Sequence, residues 1–160
     1  MEWSIRSLSK RCGVSGEAFS DGDSVMCFVF KTESGEIERT DVLERNVPAL
    51  KAPGTLVGFW RRVFSSDPAA SADMKQKLVS QEDFFFSLFD VPPSEDGEIL
   101  KQFVALYLER KRILRAAGAP ENGFQNFVHV KSKKTFSVPV RDADPEILAR
   151  LASVIDAFII

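Results

Sequence analysis

The run SVMCFVFK, Ser24 to Lys31, is apolar on both faces, with Val25, Cys27 and Val29 on one and Met26, Phe28 and Phe30 on the other. Side chains alternate along a strand, so this pattern predicts a strand covered on both sides. TESG follows, where Gly35 is free to take a positive φ in a short turn. Glu36–Leu43 then sets Ile37, Arg39, Asp41 and Leu43 against Glu38, Thr40 and Val42, which predicts a half-exposed antiparallel partner. ERNVPALKAPG is a proline-marked connection, and Thr55–Phe64 reads as a third strand with Leu56, Gly58 and Trp60 on one face. Ser65–Asp73 is small, polar and proline-containing. It divides a β-rich part, 1–66, from a helix-rich part, 73–160, of a single domain, 1–160.

Beyond that linker the apolar period becomes helical. Asp73 and Gln76 resemble a capping box and predict a helix to about Phe89, with a competing start at Ser80 and a stop at Val91-Pro92-Pro93. Ser94 caps a second helix, expected to run to Ala117 and stop at Gly118. Ile99, Phe103, Leu106, Tyr107 and Leu114 recur at helical spacing, while Leu100, Val104 and Leu108 cover a second flank. Two apolar flanks make it the expected central packing element, with Phe103 and Leu106 nearly fully buried. Phe124–Val140 predicts a hairpin turning at KSKK, whose second strand lies at an edge because Pro139 lacks an N–H. Asp144 and Pro145 start a C-terminal helix striped with Ile147, Leu151, Val154, Ile155 and Phe158. The expected fold class is α+β: an antiparallel β-sheet in the N-terminal half, then packed helices, a β-hairpin and the C-terminal helix.

Composition narrows the functional classes. A formal net charge of −2 gives no global field toward polyanions or membrane surfaces. Fourteen phenylalanines against one tyrosine point to dry packing, since phenylalanine has no polar handle. Nothing approaches the roughly 18 apolar residues of a membrane span, and MEWSIRSLSK lacks a signal-peptide core, so a cytoplasmic protein is expected. Cys12 and Cys27 are too few for a disulfide scaffold.

The stretch KRCGVSGEAFSDGDSVMC has the outline of a zinc knuckle, but the place of the second thiolate is Ser15. His129 is the sole histidine, so the ligand count argues against zinc, and no metal or cofactor is expected. SDGD lacks the spacing of a calcium loop, and GVSGE misses the nucleophile elbow. Catalysis through Cys12 and His129 would need an orienting group that the sequence does not identify.

RCGVSGEAFSDGDSV, ERTD, GFWRRVF and QFVALYLERKRILR together resemble a family of short, uncharacterised bacterial proteins. That family joins a C-x-x-S/T-G-x-x-F-x-x-G-D knuckle to an R-x-D strand and an L-x-x-x-R-K-R-x-L helix. The resemblance covers roughly the first 115 residues in pieces and implies no activity. The knuckle also resembles the first half of zinc-ribbon and treble-clef modules, without their second thiolate.

The leading expectation is a non-catalytic binding or adaptor module that recognises protein or itself. Its candidate surface is Trp60 with Phe84, Phe85 and Phe86 of the FFFSLF segment, because neighbours about 100° apart on a helix cannot all face one core. The alternative is a nucleic-acid-associated protein whose contacts are Arg61, Arg62, Arg110, Arg112, Lys133 and Lys134, beside aromatic residues able to stack on bases. An unrecognised enzyme comes third.

Overall fold

In the computed structural model, which describes residues 2–3, 9–67, 69, 74–140 and 145–146, the strands form two separate sheets. The first has four strands in the order β1-β3-β2-β4, with β1 at Glu2–Trp3, β2 at Ser24–Thr32, β3 at Glu36–Leu43 and β4 at Gly54–Val63. β2 is antiparallel to β3 and β4, whereas β1 joins β3 in parallel. The second is a three-stranded antiparallel meander of β5, Leu114–Glu121, β6, Phe124–His129, and β7, Thr135–Pro139. Two helices precede it in the chain, α1 at Met74–Ser87 and α2 at Glu95–Arg110. This is an α+β arrangement in the expected element order. The expected cap at Asp73 and the stripe from Ile147 to Phe158 lie outside the described residues. None of the described helices is long and apolar enough to cross a membrane.

β2 is an inner strand and is also buried on both faces, with Val25, Cys27 and Val29 on one side and Phe28 and Phe30 on the other. Its register sets Cys27 opposite Asp41 and Val29 opposite Arg39, and these two of the four charged residues of β3 are buried. β3 alternates as expected, with Ile37, Arg39, Asp41 and Leu43 buried and Glu36, Glu38 and Thr40 more accessible; only Val42 is buried on the second face. Arg39 and Asp41 sit two apart on one face, so they can pair directly, and Arg39 Nε lies 2.8 Å from Asp41 Oδ1. The guanidinium also covers the Trp60 ring at 5.0 Å.

Helix α1 docks where β4 has no side chain. A Cβ on Gly58 would lie 2.5 Å from Phe84 Cε2, so only glycine permits this approach. The register shifts beside it, between Val29 and Phe30 of β2. One residue on, Phe59 N–H donates to Ser87 Oγ at 2.9 Å, and that hydroxyl donates to Phe84 O. Trp60 meets Phe84 edge-on at 5.7 Å.

The consecutive phenylalanines of α1 serve two layers. Phe84 faces β4, while Phe85, Phe86 and also Phe89 surround Phe136 of β7, with ring centroids 5.2, 5.4 and 5.1 Å away. The helix thus joins both sheets. Trp60, Phe84 and Phe85 are at most 1% exposed, which corrects their assignment to a partner surface. Their second layer is supplied by the chain itself.

Ser94 caps α2 as expected, its Oγ accepting from Gly97 N–H at 3.0 Å. The helix ends at Arg110, however, and Leu114–Glu121 is a strand. Arg112 takes a left-handed φ of 61°, while Ile113 N–H returns to Leu108 O at 2.9 Å and closes the helix. Leu114 keeps the helical phase in the sequence, but its burial comes from pairing opposite His129. Gly118 lies in a bulge of β5, where Gln125 Nε2 donates to its carbonyl at 3.1 Å, and does not stop a helix. The deepest flank of α2 is Leu100, Val104 and Leu108, each fully buried; Phe103 is buried and Leu106 only half-buried. Pro139 does lie on an edge strand, β7.

Candidate functional site

Two turns meet at one end of the small sheet. Val130 N–H donates to Ile113 O at 3.0 Å, prolonging the pairing of Leu114 with His129. The turn leaving α2 therefore lies against the turn joining β6 to β7. The first carries Arg110, Lys111 and Arg112, the second Lys131, Lys133 and Lys134, and all of these are exposed. The second turn is closed by His129 N–H to Lys134 O and by Lys133 N–H to His129 O, both at 2.8 Å.

Arg112 and Lys133 both adopt left-handed backbone, at φ 61° and 63°. A residue with a Cβ is disfavoured there by about 1 kcal/mol or more, and glycine would relieve it. Two neighbouring turns thus place long cations where glycine is the easier choice. Such retained strain is enriched at functional surfaces.

Behind Lys134 lies a cavity of about 280 Å³. Phe86, Phe89 and Phe136 form its apolar wall, and Asp90, His129, Ser132 and Lys134 its polar side. His129 is buried and meets Phe86 edge-on at 5.2 Å. Its Nδ1 accepts from Ser132 N–H at 3.2 Å and lies 2.7 Å from Ser132 Oγ. That acceptor role places the proton on Nε2, which is 3.5 Å from Glu82 Oε2 on α1.

Serine, imidazole and carboxylate in a row have the connectivity of a hydrolytic triad. Here the serine's own N–H also bonds the imidazole, and Lys134 N–H reaches the serine oxygen at 3.4 Å. The trio closes a hairpin turn and ties it to α1 through Glu82, which explains the geometry without a nucleophile. His129 is a pocket wall fixed in one tautomer.

Arg61 and Arg62 do not join this end. Arg61 belongs to the four-stranded sheet and pairs with Glu44, while Arg62 is half-buried, opposite Val25 in the register. Of the expected nucleic-acid contacts, the structure brings together Arg110, Arg112, Lys133 and Lys134.

The knuckle is a separate feature. Cys12 O accepts from Gly16 N–H at 2.9 Å, and Sγ receives Leu43 N–H at 3.4 Å and Asn46 Nδ2 at 3.7 Å. Burial alone would raise this thiol. The Ser15 hydroxyl and the N–H groups of Ser15, Leu43 and Val14 outweigh it and bring the pKa from 9.0 down to about 6. Cys27 shows the reverse: burial, then the Asp41 carboxylate, push its thiol well above the ordinary value. Among the described residues, no three of His, Cys, Asp and Glu come together to hold a metal ion.

No protein-family model matches the chain, and no significant similarity was found to curated proteins or to solved structures. The geometry is therefore the ground for assigning a role. Sequence reasoning missed Ser132 and Asp90 as pocket residues. A histidine followed three positions later by serine at a hairpin tip is the signal that could have found the first.

Proposed function

We propose that the protein is a non-catalytic, cytoplasmic binding module whose ligand is nucleic acid, taken at the basic end of the small sheet. The carrying observation is the meeting of Arg110, Lys111 and Arg112 with Lys131, Lys133 and Lys134 across the Val130–Ile113 hydrogen bond. With a whole-chain charge of −2, attraction for a polyanion must come from a local group such as these six cations, acting against the nearby carboxylates of Glu109 and Asp90. Phe86, Phe89 and Phe136 lie beside it, and base stacking on aromatic side chains tolerates many sequences. The competing reading, recognition of protein through an apolar surface, loses its support because Trp60, Phe84 and Phe85 are core residues.

Fluorescence anisotropy of labelled single-stranded RNA and DNA at about 50 and about 200 mM salt tests the proposal. Affinity should fall steeply with salt, as released counterions supply much of the binding. Combining Arg112→Glu with Lys133→Glu should abolish it without unfolding the protein. Absent binding, salt-insensitive binding, or unchanged binding by the double variant would overturn the reading.

A further inference from the structure

The cations at the small-sheet end would hold a phosphate chain, but they do not account for the cavity behind Lys134. Its polar groups are of mixed sign: Lys134 donates, Asp90 accepts, and Ser132 can do either. Glu82 adds a further carboxylate behind His129. Two carboxylates and one ammonium disfavour a bare anion, which would meet as much repulsion as attraction. The apolar wall equally disfavours a compact cation with its hydration shell. A neutral planar ring with donors and acceptors along its edge, attached to a negative group outside, satisfies every part.

At about 280 Å³ the cavity falls just below the usual range for small-molecule pockets, enough for one ring system. Its rim is built by the same turn that presents Lys131 and Lys133, so a chain lying along those cations passes its mouth. We infer that this cavity receives one unstacked nucleobase of the bound strand, its ring against Phe86, Phe89 and Phe136 and its phosphate on Lys134. The base carries an exocyclic amine, whose N–H donors reach the Asp90 carboxylate without the two carbonyls that flank a uracil N3–H and would bring like charge against it. This inference rests on the nucleic-acid reading for the strand, but the cavity can be tested with a single nucleotide.

His129 is the only histidine, so its ring protons give one resolved pair of resonances inside the cavity wall. Titrating the intact protein with adenosine 5′-monophosphate, uridine 5′-monophosphate and ribose 5-phosphate should shift that pair with the first and much less with the others. Lys134→Ala should weaken the adenosine shift; its side chain is exposed and the turn's hydrogen bonds use its backbone. In parallel, an oligoadenylate should bind about tenfold more tightly than an abasic strand of equal length, the gain expected for stacking one base. Equal binding of the two strands with an unmoved His129 overturns the base pocket and leaves backbone binding intact. A His129 shift with neither strand bound supports the pocket and overturns the strand reading. Neither shift nor strand binding overturns both.

Discussion

In the four-stranded sheet, Arg39 and Asp41 are 6% and 4% exposed and paired at 2.8 Å beneath Trp60. In the three-stranded sheet, the lysines and arginines stand exposed on turns that bring like charges side by side. The same residue types thus do opposite work. Inside, a charge is tolerated only because its partner and hydrogen bonds are fixed, so it specifies which faces of β2, β3 and β4 meet. Outside, cations of one sign stand exposed on two turns joined by the Val130–Ile113 hydrogen bond. That asymmetry is what makes the small-sheet end the functional candidate.

The comparison breaks most visibly at Asp41. Asp41→Ala leaves a buried guanidinium without its carboxylate, and chemical denaturation should show a loss of about 3–5 kcal/mol. Combining Arg39→Met with Asp41→Leu should recover much of that loss, because replacing both charges removes the desolvation penalty. No recovery would mean that the pair contributes through attraction and not by mutual neutralisation.

A smaller effect is expected where the four-stranded sheet meets the knuckle. The Cys12 thiol titrates at about 6 in the fold against an ordinary 9.0, so its contribution to stability is fully present above pH 9 and lost as pH falls through 6. Stability of the native protein should therefore rise with pH across that window relative to Cys12→Ala. Parallel pH profiles would show that the thiolate is not held by its N–H donors.

The smallest effect should come from the other sheet. Lys131→Ala with Lys133→Ala should change stability by no more than about 0.5 kcal/mol, while nucleic-acid affinity and its salt slope both fall. A large stability loss would make these cations structural and erase the contrast.

β2, β3 and β4 were legible because their signals are local: one unbroken apolar run, one alternating run and a turn glycine between them. β5 was not, since LRAAGAPE has little β propensity and becomes a strand only by pairing with β6. Reading Leu114 as the last helical apolar residue hid more than a boundary. Arg110, Arg112, Lys133 and Lys134 were legible as candidates, but only with Ile113 and Leu114 extended does Ile113 O meet Val130 N–H and set their two turns side by side. The helical argument about Phe84, Phe85 and Phe86 did require a second layer, but a sequence cannot say whether that layer lies in the chain or in a partner.

The strand order of the small sheet has a consequence for how the chain acquires its shape. β5, β6 and β7 each pair only with a neighbour in the chain, so each closure spans a short loop and loses little entropy. Contacts of low sequence separation form quickly. In the larger sheet, the chain leaving β3 must cross β2 to place β4 on its far edge, and β1, from the start of the chain, pairs with β3 in parallel. The meander's own pairings are therefore local, and it is the packing of Phe136 against Phe85, Phe86 and Phe89 that ties it to the rest of the core.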